Sequence, residues 1–135
     1  MSTPDFKAKL ALEATVSPSE NPAKVLQAMK NVVGEARCDV ATDSRSARLM
    51  TVDPRALISI RDQLRDRHVR SAARKQMLLK NSGRSTSLML NRQAAAAGVV
   101  ALCGTPEESP LGPIYLTLES EEIGALMDWL TAYTG

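Results

Sequence analysis

The sequence predicts one α+β domain over residues 1–135, with a mixed sheet of about five to six strands and helices packed on it. Short segments alternate apolar and polar residues, as strands with one solvated face do. Longer segments repeat apolar residues at helical spacing and begin with capping residues. The length of 135 residues suits one domain, and no repeat or linker divides the chain. The predicted order is β-α-β-β-α-α-β-β-β-α.

The first half predicts a strand, a helix and two further strands. Asn21 suits the N-cap of the helix, and Pro22 suits its first position, where the missing N–H has no helical partner. Gly34 suits the left-handed residue that ends a helix. The predicted elements are a strand at Phe6–Val16, a helix from Pro22 to Val33, and strands within 35–41 and 46–52.

The second half predicts a long helical region, three strands and a last helix. Asp53 and Pro54 repeat the cap-then-proline signal. Within the helical region, the apolar stripe of the first part does not align with that of the second part, which predicts a break near Asp66–His68. Asn91–Gly98 is too short and alanine-rich to assign. The predicted elements are helical residues 54–80, strands Ser85–Leu90, Val99–Leu102 and Ile114–Leu118, and a helix capped by Ser120.

Composition excludes several classes of protein. With 44% hydrophobic and 24% charged residues, the chain is too apolar for disorder. No apolar run approaches the ~20 residues that cross a bilayer, and Met1–Asp5 lacks the features of a signal peptide. We therefore expect a cytoplasmic protein, with Cys38 and Cys103 as reduced, buried thiols.

No segment carries the motif of an enzyme active site. Phosphate-cradling and dinucleotide glycine motifs, the nucleophile elbow and the zinc-protease helix are absent. Cys38 and Cys103 lack metal-ligand spacing, and His68 is expected to be a helix-junction residue. The loop Glu107–Pro113 is expected to position the strand that follows it. We therefore expect no catalysis, no cofactor and no metal site.

Charge is unevenly distributed along the chain. The net charge is +2, but residues 55–92 contain ten basic and two acidic residues, a net charge of +8. The remainder has seven basic and thirteen acidic residues, a net charge of −6. Such segregation bears on partners rather than on fold. The basic segment favours a polyanion.

One predicted helix concentrates this charge. At 100° per residue, Arg67, Arg70 and Arg74 fall within about 60° of one another, and Lys75 lies about 80° to the other side of Arg67. The like charges of Arg70 and Arg74 mildly destabilise a helix unless an anion accepts them, and phosphate fits the planar fork of arginine. The alternative is a solvated helix face whose arginines pair with acids such as Asp62, Asp66 or those of the last helix.

The aromatic residues limit how RNA could be bound. Phe6, Tyr115, Trp129 and Tyr133 are too few for a platform that stacks single-stranded bases. Recognition of structured RNA through its backbone is expected instead, with a steep dependence on salt.

Motifs of the second half resemble those of a known family. Leu90–Ala95, followed by Gly98, resembles the L-N-K-Q-A-A-x-x-G signature of an archaeal family of predicted RNA-binding proteins, sometimes described as exosome-associated. The matching elements occur in order over residues 61–132, and the first 60 residues match only in element order. The other elements are P-L-G-P-I in Ser109–Ile114, the arginine-rich stretch in Leu64–Val69 and Ala73-Arg74, and the end of the last helix in Asp128–Leu130.

The resemblance implies a small, non-enzymatic protein, similar in fold to a large-subunit ribosomal protein that binds 5S RNA. The chain departs from the family pattern in two places. Arg92 stands where lysine is usual, which keeps the charge. Leu88 and Leu90 occupy a strand that is commonly more aromatic, which argues against base stacking there.

The segment Asn91–Gly98 leaves two interpretations open. Asn91, Arg92 and Gln93 could contact RNA from a loop, with small alanines allowing close approach. Alternatively, Asn91 caps a turn and the alanines pack against a helix, while Arg92 stays a candidate for phosphate contact.

The resulting hypothesis is an RNA-binding accessory protein of RNA processing or translation. The alternative is a protein-interaction module, in which the basic segment docks an acidic surface of an RNA-processing protein or of a second copy in a homodimer. The candidate RNA-binding residues are Arg67, Arg70, Arg74, Lys75, Arg84 and Arg92.

Overall fold

The structure, a computed structural model, describes residues 7–66 and 68–131, without the side chain of Asp66. The strands are β1 (Lys9–Thr15), β2 (Asp39–Thr42), β3 (Ser46–Thr51), β4 (Ser85–Leu90) and β5 (Ile114–Glu119). The helices are α1 (Pro22–Val33), α2 (Pro54–Asp66), α3 (Arg70–Lys80), α4 (Arg92–Ala96) and α5 (Ile123–Thr131). A 3-10 turn spans Pro106–Glu108. The predicted α+β class is confirmed.

The five strands form one sheet in the order β2-β3-β1-β5-β4. All four neighbouring pairs are antiparallel, where we expected a mixed sheet. The first strand lies at the centre, because Leu12 pairs with Leu49 of β3 on one side and with Leu116 of β5 on the other. An alternation of apolar and polar residues does not reveal the direction of a strand, so the sequence pattern could not predict that every neighbouring pair is antiparallel.

Burial alternates along β1, β3, β4 and β5 and places the core on one face of the sheet, whereas the edge strand β2 is exposed throughout. Leu12, Leu116 and Leu118 are fully buried, whereas Glu13, next to Leu12, and Thr117, between Leu116 and Leu118, are exposed. The helices supply the rest of the same apolar core, to which Met29 of α1, Ile60 of α2 and the buried residues of α3 and α5 belong. The opposite face of the sheet is therefore open, as the alternation predicted.

The predicted helix ends are confirmed by their caps. The side chain of Asn21 accepts a hydrogen bond from the Ala23 N–H at 2.9 Å, and that of Asp53 accepts one from the Arg55 N–H at 3.0 Å. Gly34 has a φ of +65° after the last residue of α1. His68, with a φ of +55°, lies in the break between α2 and α3. This left-handed residue is uncommon outside glycine and turns the chain between the two helices.

In the second half, one predicted strand does not form, and one segment that the sequence left unassigned contains a helix. Val99–Leu102 is not a strand, since only Leu102 bridges to Leu90 at the end of β4. Its apolar residues predicted burial, which Val100 shows, but burial alone does not establish a ladder. The unassigned Asn91–Gly98 contains α4, and the Asn91 side chain accepts from the Ala94 N–H at 2.9 Å.

The one-sided core predicts unequal effects of two neighbouring substitutions in β5. Leu116→Ala should lower the free energy of unfolding by about 2–5 kcal/mol, because it leaves a cavity under the helices. Thr117→Ala, on the open face, should change it by less than about 1 kcal/mol. Urea denaturation measures both. Equal losses would mean that the open face is also packed.

Candidate functional site

Helix α3 is oriented by its buried residues and by polar contacts on its inner side. Ala73 and Met77 are fully buried. The Thr86 hydroxyl donates to the Met77 carbonyl at 2.6 Å, and the Gln76 side chain accepts from the Met89 N–H and donates to the Cys103 carbonyl. These contacts fix which side of α3 faces solvent.

The outward side of α3 differs from the arginine face that the sequence suggested. At about 100° per residue, the position opposite the buried stripe is that of Lys75. Arg70 and Arg74 flank the buried stripe instead, on the side of α5. Arg74, a candidate RNA-binding residue, therefore lies at the edge of the outward side of α3, and 44% of its side chain is exposed.

Arg74 makes the ion pair that the alternative interpretation anticipated. Its Nη1 donates to Asp128 Oδ1 at 2.6 Å and lies 3.4 Å from the hydroxyl of Thr131, both on α5. Asp128 is 66% exposed at its side chain, so this pair lies in water and contributes modestly to stability. The Arg74 guanidinium keeps exposed surface beside this carboxylate.

Three cations on α3 and just beyond it stay exposed. Lys75, Lys80 and Arg84 form no salt bridge with any part of the chain that the structure describes. The turn that carries Arg84 is ordered, because Asn81 accepts from the Gly83 N–H at 2.9 Å and the Ser120 N–H donates to the Arg84 carbonyl at 2.8 Å. We call Lys75, Lys80 and Arg84 the basic surface; it extends from the outward side of α3 around the end of the helix to the following turn.

Arg92 is not available for phosphate contact, which corrects the sequence prediction. Only 5% of its side chain is exposed, and its Nη1 donates to both oxygens of Glu20 at 2.6 and 2.8 Å. Its Nε donates to the Gly112 carbonyl at 3.0 Å, and its backbone N–H donates to the Ser109 hydroxyl at 3.0 Å. Arg92 therefore joins α4, the turn before α1 and the loop before β5.

Glu20 is ionised in this buried pair. Burial alone would raise the pKa of Glu20, but the hydrogen bond from the Ser17 N–H and the Arg92 guanidinium outweigh burial and lower the pKa from its ordinary value. The loop Glu107–Pro113 meets this pair through Ser109, whose hydroxyl donates to the Gly112 carbonyl at 3.0 Å. The role expected for this loop, positioning β5, agrees with these contacts.

Of the four alanines in Asn91–Gly98, Ala95 follows the packing interpretation, whereas Ala96 and Ala97 are exposed. Ala95 is buried, and its carbonyl accepts a hydrogen bond from the Asn31 side chain of α1 at 2.9 Å. This second anchor, together with the buried Arg92, makes α4 a structural element.

Other arginines of the basic segment are also engaged within the fold. Arg55 binds Asp53 at 2.7 Å, and the hydrogen bonds that Asp53 receives, first from the Arg55 side chain, hold its pKa well below the usual range. Arg65 lies 3.5 Å from Asp62. Arg61 lies 4.7 Å from the centre of the Trp129 ring. Folding therefore neutralises much of the charge that the sequence displays. Arg70 is half-buried and engaged as well, and Arg67 lies outside the described residues.

No metal or thiol site emerges from the part of the chain that is described. Within residues 7–66 and 68–131, no group of three or more His, Cys, Asp or Glu residues is placed to hold a metal ion. Cys38 and Cys103 are free thiols. Burial, reinforced by the charge of Glu108, raises the pKa of Cys103. Among the same residues, no helix is long and apolar enough to cross a membrane.

Comparison with known proteins identifies the family. The chain is 36% identical over 129 residues to a UPF0201 protein of Sulfurisphaera tokodaii, covering 93% of this chain and 88% of the relative. A UPF0201 protein of Sulfolobus acidocaldarius is 31% identical over the same coverage. The chain belongs to the archaeal UPF0201 family. No family model matches it.

Solved structures support the fold of this UPF0201 member. The crystal structure of a UPF0201 protein from Methanococcus jannaschii matches with a TM-score of 0.77 at 20% identity, covering 94% of this chain and 95% of that one. A DUF54 protein from Archaeglobus fulgidus matches with a TM-score of 0.68 at 12% identity, covering 96% and 98%. The expected archaeal family is thus confirmed, whereas RNA binding and exosome association stay predictions.

Several residues of the site were missed by sequence reasoning. Glu20 and Asp128 neutralise two candidate arginines, but they lie 72 and 54 residues away from them along the chain. Lys80 was counted in the basic segment without being named as a candidate. Leu78 and Leu79, beside Lys75, are exposed, and the sequence analysis assigned them no function. The sequence signal that could have identified them is their position among the cations of α3.

The buried pair predicts a large effect of Arg92 on stability. Arg92→Met should lower the free energy of unfolding by about 3–5 kcal/mol, because it leaves the Glu20 carboxylate buried without its partner. Arg48→Met is the matched control, since Arg48 and Glu13 form an ion pair on the open face with both side chains more than half exposed. The control should lose less than about 1 kcal/mol in urea denaturation. Similar losses in both variants would contradict the structural role of Arg92.

Proposed function

We propose that the chain is a non-catalytic RNA-binding protein that contacts the backbone of structured RNA. The contacts come from Lys75, Lys80 and Arg84, with Arg70 and Arg74 along the edge of α3. The observation that carries the proposal is the position of the basic surface. Its three cations are exposed on one helix and the turn after it, and none of them forms a salt bridge with a described residue. Such cations bind phosphates and release counterions.

The chemistry of this surface favours the RNA backbone over the bases. Lysine acts as a point charge toward phosphate, without the planar geometry that reads a base edge. The described aromatic residues lie elsewhere, since Tyr115 is on the open face of the sheet and Trp129 is stacked under Arg61. Structured RNA offers closely spaced phosphates to such a surface.

The proposed setting is an accessory role in RNA processing or translation, in the cytoplasm, including a link to the exosome. Support comes from the sequence motifs described above and from the exposed basic surface. The alternative, docking of a protein, is favoured by one specific observation: two exposed leucines adjoin Lys75 on the same helix.

Charge reversal of the basic surface tests the proposal. The triple variant Lys75→Glu, Lys80→Glu, Arg84→Glu should lose most of its affinity for a structured RNA. The slope of log affinity against log salt should fall by about 2–3, because about three phosphate contacts disappear. Fluorescence anisotropy in stepped salt measures both quantities.

The matched control reverses two lysines and one arginine that are exposed elsewhere, with Lys24→Glu, Lys30→Glu and Arg45→Glu. This control has the same net charge as the test variant, so it separates a local contact from a general electrostatic effect. Equal weakening in both variants, or unchanged binding in the test variant, would contradict the proposed surface.

The ion pair between Arg74 and Asp128 predicts a gain of affinity. Asp128→Asn removes an exposed negative charge and frees Arg74 for phosphate, so RNA affinity should rise by about two- to fivefold at low salt. Asp39→Asn, an exposed carboxylate on β2, is the control and should leave affinity nearly unchanged. An Asp128→Asn variant that binds RNA no better than the control would place Arg74 outside the contact surface.

A further inference from the structure

Two large apolar side chains lie in water on α3. Leu78 is 55% exposed and Leu79 is 77% exposed. The inner side of the helix already contributes Ala73 and Met77 to the core. The two leucines therefore add little to folding, and they lie together on the outward side of the helix.

Phosphate contact does not account for these leucines. A leucine side chain has no hydrogen-bond donor for a phosphate oxygen. It also lacks the planar ring on which a base stacks. A surface evolved for RNA backbone alone would be expected to carry polar residues at these positions, as the opposite end of the helix does with Ser71.

The leucines are arranged together with the cations of α3. Leu78 lies one turn beyond Arg74, and Leu79 lies one turn beyond Lys75, because residues four apart share a helix face. An open groove of about 410 Å³ runs along this face. It is lined by Ser71, Arg74, Lys75, Leu78 and Leu79. The groove thus has a cationic turn followed by an apolar turn.

One contact within the chain shows that the cationic turn of α3 binds a carboxylate. The carboxylate of Asp128, on a helix packed beside α3, meets Arg74 at 2.6 Å. Lys75, one residue further toward solvent, has no such partner among the described residues. A carboxylate from another molecule could therefore complete the pattern at Lys75 while its apolar side chains cover the leucines.

We propose that the outward face of α3 docks an acidic amphipathic helix of a partner protein. The leucines of the groove would contact the apolar stripe of that helix, and Lys75 and Arg74 would contact glutamates or aspartates along its flank. Charge complementarity selects an acidic partner over a basic one, because the face carries two cations and one acid at its edge. This inference shares Lys75 and Arg74 with the RNA proposal, but it differs from that proposal in using the apolar side chains, which phosphate contact does not need.

The test uses a synthetic helical peptide of about 20 residues as the probe. Leucines repeat along it at i, i+3, i+4 and i+7, and glutamates occupy the flanking positions. Fluorescence anisotropy with the full chain measures its affinity. The double variant Leu78→Ser, Leu79→Ser should bind the peptide about tenfold or more weakly, because hydrophobic anchors dominate such interfaces. Lys75→Glu should weaken binding as well.

Matched controls locate the effect on α3. Val52→Ser with Leu111→Ser removes two exposed apolar side chains elsewhere, which are 74% and 54% exposed, and should leave peptide affinity unchanged. A peptide with lysine in place of every glutamate should not bind. Folding of each variant is checked by thermal denaturation.

Three results would overturn the proposal. The first is a failure of the acidic peptide to bind, or equal binding by the leucine variant. The second is self-association in sedimentation that the leucine variant abolishes, which would make a second copy the occupant. The third is loss of RNA affinity in the leucine variant, which would assign the leucines to the RNA. Because that variant keeps every charge, its RNA affinity also separates failure of this proposal from failure of the RNA proposal.

Discussion

Burial of one face of the antiparallel sheet is the constraint on which the other features depend. The central strands β1 and β5 place leucines toward the helices and polar residues toward water. The helices must lie on the apolar side, and α3 is further fixed by the hydrogen bond from Thr86 to Met77 and by that from its own Gln76 to the Cys103 carbonyl. Its inner face is thereby determined, so Lys75, Leu78 and Leu79 must lie outward. The candidate surface follows from packing rather than from charge.

Folding changes what the charge of the sequence means. A segment with a net charge of +8 suggested a broad cationic surface. In the structure, Arg92 is buried against Glu20, and Arg55, Arg65 and Arg74 meet carboxylates. The exposed cations of this segment that form no salt bridge with a described residue are a smaller group on α3 and in the following turn. Affinity for a polyanion would therefore come from few contacts, in a surface that also offers apolar area to a protein.

Local signals predicted the elements well, and long-range contacts explain where prediction failed. Asn21 with Pro22 and Asp53 with Pro54 located helix starts, because caps act within three residues. Val99–Leu102 was apolar and partly buried but formed only one bridge. No sequence pattern could reveal that Arg92 meets Glu20, since the contact spans 72 residues. The archaeal family was recognised from motifs, and its relatives share the fold.

We propose that this chain meets its partner through α3 and the turn after it, and not through the open face of the sheet. Amide NMR spectra recorded during titration with a structured RNA test this proposal. We expect the amides of residues 74–84 to shift in a salt-dependent way, while those of Ala11, Met50 and Thr117 on the open face stay unchanged. Shifts confined to the open face, or to the region around Arg92, would contradict it.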